Sequence, residues 1–144
     1  MIDVRVAQGR KEVEQCLRLR WTVFVEEQGV RPSDELDAHD SGDAVHALAS
    51  LDGVPCGAAR LIFTAPGVAK IERMAVIGDV RGRGVGRALL EFVEEEARRR
   101  GATRLTLSAQ IRARKFYEKA GYDAASRVFD DGTGIPHLRM EKNA

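Results

Sequence analysis

Three glycines in five residues, Gly82, Gly84 and Gly86, constrain this chain more than any other feature. They lie within Arg81-Gly82-Arg83-Gly84-Val85-Gly86-Arg87, between an alternating segment at residues 68–77 and an amphipathic helix. Val85, Ala88, Leu89, Phe92, Val93 and Ala97 form the helix's apolar stripe, and Gly101 ends it. Arg98, Arg99 and Arg100 crowd its last turn, where the helix dipole favours cations. Loss of three Cβ atoms lets the backbone bend sharply. The amides that follow lie at a helix N-terminus, whose free N–H groups and positive dipole end suit a phosphate or pyrophosphate. Arg81, Arg83 and Arg87 add positive charge around it.

The common nucleotide motifs do not fit this turn. A Walker loop needs GxxxxGK[ST], and its Lys-Ser/Thr pair is missing. A dinucleotide fingerprint needs a third glycine at position 87, which is arginine. The strands upstream also read as hairpins, not as a βαβ unit. A tight turn that starts a helix and holds no ligand remains the competing reading.

Around this unit the chain alternates between two periods. Ile2, Val4 and Val6 share one face of a first strand. From Gly9 the spacing turns helical, with Val13, Cys16, Leu17, Trp21 and Phe24 on one stripe and a break expected near Thr22-Val23. Glu26-Glu27-Gln28-Gly29 ends the helix, and Arg31-Pro32-Ser33 reads as a loop. Residues 44–51 and 54–64 are strands joined by an Asp52-Gly53 hairpin turn, with a distortion expected at Gly57. Leu105 and Leu107 mark a short strand, and residues 113–120 a short helix. Strands at 126–129 and 137–141 end the chain.

A length of 144 residues suits one domain, residues 1–144. Lys plus Arg is 23 and Asp plus Glu is 22. This balance excludes a global electrostatic nucleic-acid binder, though not a local basic patch. Cys16 and Cys56 have no CxxC spacing, so a disulfide scaffold and a cysteine zinc site both fit poorly. No apolar run approaches the roughly 18 residues that span a bilayer, and the alternating start is unlike a signal peptide. A cytoplasmic protein with reduced thiols is expected.

Two motifs carry a family resemblance. The stretch Arg81-Gly82-Arg83-Gly84-Val85-Gly86 resembles the Q/R-x-x-G-x-G/A signature of GNAT-type N-acetyltransferases. It follows the strand Lys70-Ile71-Glu72-Arg73-Met74-Ala75-Val76, the expected place. Phe116-Tyr117-Glu118-Lys119-Ala120-Gly121-Tyr122 resembles the second signature, FYEKxGF. Element order and spacing fit along nearly the whole chain. Residues 23–30, Glu35-Leu36-Asp37-Ala38-His39-Asp40, Ser108-Ala109-Gln110 and Gly134-Ile135-Pro136-His137 are similar to local patterns of the ElaA/YjcF-like subgroup.

The resemblance implies an α/β fold. Its mixed, mostly antiparallel, twisted sheet has six to seven strands flanked by about four helices, and a splayed strand pair forms the cofactor cleft. It implies acetyl-CoA as co-substrate and no metal. Backbone groups of Met74, Ala75 and Val76 are then expected to pair with the pantetheine arm. The amides of Arg81, Gly82, Arg83, Gly84, Val85, Gly86 and Arg87 are expected to hold the pyrophosphate. Tyr117 matches the family's general acid, which returns a proton to the departing thiolate. The alternative is a helix tyrosine with its hydroxyl at the surface. Glu72 is the expected general base, sharing a face with Met74 and Val76 under strict alternation. A salt bridge to Lys70 or Arg73 is its alternative. Gln110 stands where the wider family often has Asn, and a contact with the cofactor arm is expected of it. Arg112, Arg114 and Lys115 read as a solvated helix face, or as contacts to the adenosine phosphates.

Residues 26–43 hold seven carboxylates against Arg31 alone. They fail the EF-hand pattern, because counting from Asp37 puts His39, Ser41 and Leu48 at positions that need ligands. A solvated loop is the leading reading, and attraction of a cationic amine the functional one. Glu27 and Gln28 end the first helix where the family builds its acceptor site, and His46 and His137 are candidates for the same cleft. The expected activity is acetyl transfer, by direct attack, to a primary amine of a small molecule or peptide. A monomer or homodimer with no nucleic-acid or membrane partner is expected. A non-catalytic acyl-CoA-binding regulatory module on the same fold is the alternative. A nucleic-acid binder using the ten Lys and Arg of residues 81–115 is a third.

Overall fold

The computed structural model describes residues 1–144, the side chain of residue 41 excepted. Strand β1 (Ile2–Val6) leads into helix α1 (Gly9–Arg20), which continues as a π-helical segment, Trp21–Glu27. Helix α2 (Pro32–Glu35) and a 3-10 turn follow before strands β2 (Val45–Leu51), β3 (Val54–Ala65) and β4 (Val68–Val76). Next come α3 (Val85–Arg99), β5 (Arg104–Gln110) and α4 (Arg114–Lys119). The chain ends with β6 (Asp123–Ala124), β7 (Phe129–Asp130) and β8 (Pro136–Asn143).

These strands form one sheet in the order β1-β2-β3-β4-β5-β8-β6, with β7 also paired to β8. Every pairing is antiparallel except β4 with β5. The eight strands include two of only two residues each, which the sequence pattern does not resolve. Of the expected strand at 126–129, only Phe129 lies in a strand. Asp52 and Gly53 both take positive φ, as a two-residue hairpin turn requires. Pro32 starts α2 instead of continuing a loop, since its fixed φ suits the first turn of a helix.

Helix α3 covers one face of the sheet. Its Leu89, Val93 and Ala97 pack in a core with Leu61, Ile71, Leu105 and Leu107. Helix α1 lies on the other face, where Cys16 packs with Leu48 and Ala58. The expected α1 stripe needs a correction. Trp21 is 37% exposed, whereas Arg20 is 0% exposed. Arg20 follows Cys16 at i+4 and so continues the buried stripe of α1, while the change to π geometry at Trp21 shifts the helical phase only from there on.

Candidate active site

Strands β4 and β5 part company halfway along. They pair from Val68 with Arg104 to Ile71 with Leu107, and no further. Beyond that point Ser108, Ala109 and Gln110 stay paired with β8, while Ala75 and Val76 stay paired with β3. The backbone edges of residues 72–76 and 108–110 therefore face a gap.

A bulge shapes the β4 side of this gap. Ala58 faces Ala75 and Arg60 faces Glu72, so two steps along β3 match three along β4. Arg73 is the distorted residue, with φ of 54°. The extra residue reverses the alternation. Glu72 shares a face with Ala75, Ala58 and Arg60, while Val76 pairs with Gly57 on the opposite face. The expectation that Glu72 shares a face with Met74 and Val76 is thus overturned by one bulged residue.

Two adjoining cavities open at the gap. The larger, about 850 Å³, is lined by Glu27, Gln28, Met74, Val76, Arg81 and Gln110 among others. The smaller, about 480 Å³, shares Gln28, Met74 and Gln110 and adds Glu72, Tyr117 and His137. Most of the side chains expected at the site are therefore brought together. Gln110 Nε2 donates to Gln28 Oε1 at 2.8 Å, joining the end of β5 to the π-helical segment.

Tyr117 reaches the gap from α4. Its ring packs edge-on against Phe116 and Tyr122. Its hydroxyl lies 3.8 Å from the Met74 sulfur. Burial pushes the phenol up to about 12, so it keeps its proton across the physiological range. The alternative of a hydroxyl at the outer surface is not what the fold gives.

The glycine turn lies outside both cavities apart from Arg81. Gly82 and Gly84 take φ of 82° and 88°, a left-handed conformation that costs other residues about 1–2 kcal/mol. Gly84 caps α3, and no side chain bonds to the helix start. Arg81 Nε donates to the Val76 carbonyl and its Nη2 to Glu27, each at 2.8 Å. Val85 is buried, so only its backbone can serve a ligand. Arg87 pairs with Glu91 on the exposed side of α3, and Arg83 is exposed.

The acidic segment is solvated only in part: arginines of α1 and the sheet hold Glu35, Asp37 and Asp40, while Glu26 and Asp43 stay exposed. Arg20 Nε donates to Glu35 at 2.7 Å, and its Nη1 to Asp40 at 2.7 Å. Arg60 is bonded to Asp37, Asp40 and Glu72, at 2.6, 3.1 and 2.6 Å. Arg73 reaches the Glu35 carbonyl at 3.1 Å and Asp37 at 3.1 Å. Arg60 holds the Asp37 carboxyl below the usual range. Burial alone would raise Asp40, but Arg20, the Asp37 amide and Arg60 outweigh it and hold it lower still. Glu72 is also within reach of Lys70 and Arg73, at 3.5 and 3.6 Å. Its expected alternative, a salt bridge on the sheet, is what the fold builds.

The histidines divide. His137 lines the smaller cavity, with Nδ1 donating to the Ile135 carbonyl at 2.6 Å and Nε2 3.3 Å from Asp131. His46 is buried on β2 opposite Arg60 and lines neither cavity. Burial, then the charge of Arg20, lowers its pKa. A cleft role for His46 is therefore corrected to a core position. Ala75 is likewise buried and lines neither cavity. Phe24, Arg73 and Asp131 also line the smaller cavity, though none of them was expected at the site. Only the turn-forming Asp130-Asp131-Gly132 run gave a signal for Asp131.

Comparison with known proteins agrees with this geometry. The acetyltransferase (GNAT) family model matches residues 13–122. The chain is 33% identical over 138 residues to the uncharacterised N-acetyltransferase YjcF of Bacillus subtilis, covering 96% of this chain and 97% of that protein. The crystal structure of an acyl-CoA N-acyltransferase from Pseudomonas aeruginosa superposes with a TM-score of 0.85 at 31% identity, over 99% of both chains. Escherichia coli ElaA superposes with a TM-score of 0.86 at 26% identity, also over 99% of both chains.

Proposed function

The chain belongs to the acetyltransferase (GNAT) family and is an acyltransferase, and from that premise we propose that it moves an acetyl group from acetyl-CoA to a primary amine. One observation carries the proposal: β4 and β5 diverge beyond Ile71 and Leu107, and the Tyr117 hydroxyl stands in the gap. The residues fit a CoA molecule. The gap offers unpaired strand edges for the pantetheine amides, and the start of α3, to which no side chain bonds, offers amides for the pyrophosphate. Acetyl-CoA, when bound, supplies the activated acyl group.

The chain's own groups do the rest. The backbone of Met74, Ala75 and Val76 aligns the arm, with Gln110 at the opposite edge. Gly82 to Arg87 hold the diphosphate through backbone amides, and Arg83 and Arg87 add charge. Tyr117 Oη gives its proton to the departing sulfur, a role that suits a phenol kept protonated by burial. Glu72 anchors Arg60 and Arg73 as their counter-ion and does not serve as the base. The acceptor, a small-molecule or peptide amine, enters beside Glu27, Gln28 and His137. Residues 1–144 act as one domain, as a monomer or homodimer. Among the described residues no helix is long and apolar enough to cross a membrane.

Titration calorimetry with acetyl-CoA, followed by a thiol-release assay over an amine panel, tests this reading. Binding with thiol release on one amine class is expected. Absence of binding would remove the cofactor assignment.

A further inference from the structure

Arg81 and Glu27 come from distant parts of the chain, the start of the glycine turn and the end of the π-helical segment. Both line the larger cavity, and Arg81 Nη2 donates to Glu27 Oε1 at 2.8 Å. Among the described residues lining that cavity, Glu27 is the one carboxylate. Arg81 Nε also occupies the Val76 carbonyl, a strand-edge acceptor that faces the gap. One guanidinium thus blocks two groups of the cleft at once.

The pair is weak enough to be exchanged. Its side chains are 47% and 37% exposed, and ion pairs in that setting are held loosely. A diphosphate on the neighbouring turn offers the guanidinium more negative charge and a better fork geometry than one carboxylate.

We propose that Arg81 and Glu27 form a latch that acetyl-CoA opens. The diphosphate draws the Arg81 guanidinium away, which releases the Val76 carbonyl to the pantetheine arm and the Glu27 carboxylate to the acceptor's ammonium. Glu27 is then a positioning and specificity residue for cationic amines, and the acceptor site is completed only after the acyl donor binds. The latch rests on the acetyl-CoA reading above and adds to it an order of binding.

Calorimetry on wild type and Glu27→Gln, with CoA and with S-acetylpantetheine, tests it. S-acetylpantetheine has the arm but no diphosphate. With the latch weakened, Glu27→Gln binds CoA about two- to five-fold more tightly than wild type, the range set by an exposed ion pair. S-acetylpantetheine, with no diphosphate to take up the freed guanidinium, gains less than CoA does. Glu27→Asp, which keeps the charge but shortens its reach, falls between the two proteins for CoA. In turnover, Glu27→Gln lowers kcat/KM for the amine about tenfold or more while kcat at saturating amine changes less. If Glu27→Gln binds CoA no more tightly, or if both ligands shift alike, the latch is overturned while the cofactor reading stands. Failure of wild type to bind CoA overturns the cofactor reading itself, and the latch with it.

Discussion

Arg60 Nη2 lies 2.6 Å from Glu72 Oε1, directly across the β3–β4 ladder. Both groups sit on the face that carries α1, and the same guanidinium holds Asp37 and Asp40. Glu72 is therefore a counter-ion of a buried arginine, placed on that face by the bulge at Arg73. Arg60, with Arg73 beside it, ties the site to the acidic segment.

Arg60→Met should be strongly destabilising. It leaves Asp40 and Glu72 short of a partner in a largely buried setting, with Asp37 at its exposed edge, and breaking buried pairs costs about 3–5 kcal/mol. Urea denaturation checks this. A loss under about 1 kcal/mol would mean that Arg20 and Arg73 hold the segment without it.

The same network sets an acid limit. Asp37 and Asp40 have lowered carboxyl pKa values in the folded chain, Asp37 chiefly through Arg60 and Asp40 through Arg20 and Arg60 against the effect of burial. Lowered folded values give stability that is present above the ordinary carboxyl pKa of about 3.9 and is lost as pH falls through the folded values. Wild type should lose stability from about pH 5 downward, and Arg60→Met should lose less over the same range. Parallel curves would contradict the assignment.

Tyr117→Phe and Glu72→Gln should behave differently. Removing the phenol proton should lower kcat about 10²-fold or more and leave the Kd for CoA within about twofold. Glu72→Gln should lower Tm and leave the pH profile of kcat/KM in place. A profile that loses its acid-side limb, where activity rises with pH, in Glu72→Gln would restore Glu72 as the base.

Substitutions at Gly84 separate shape from charge. Its φ of 88° is tolerated by Asn better than by most residues, and a Cβ there would meet only Ile2 at 3.9 Å. Gly84→Asn should keep CoA affinity within a few-fold. Gly84→Asp adds a negative charge at the helix start and should weaken CoA binding about tenfold or more. Equal affinity in the two variants would take the turn out of the cofactor site.

Several features were legible because local chemistry decides them. Gly82 and Gly84 announce left-handed turns, Asp52-Gly53 a hairpin, and the Leu105/Leu107 alternation a strand with one face in the core. Tyr117 was legible through its motif. Other features depend on long-range pairing that no local pattern encodes. Arg20, four residues after Cys16, lies inside at the end of α1, and Trp21, where the π-helical segment begins, lies partly outside. The bulge at Arg73 turned Glu72 away from Val76. Of the seven carboxylates in residues 26–43, Glu35, Asp37 and Asp40 look solvated like the rest until Arg20, Arg60 and Arg73 arrive from other elements. His46 sits in a strand pattern that fits either a cleft or a core, and its register opposite Arg60 decides for the core.

A crystal structure of the chain with acetyl-CoA tests the central claim most directly. The pantetheine arm should lie between residues 72–76 of β4 and 108–110 of β5, with diphosphate oxygens on the amides of Gly82 to Arg87 and the sulfur within hydrogen-bonding reach of Tyr117 Oη. A cofactor bound elsewhere, with the β4–β5 gap left open and Tyr117 remote from the sulfur, would contradict the account.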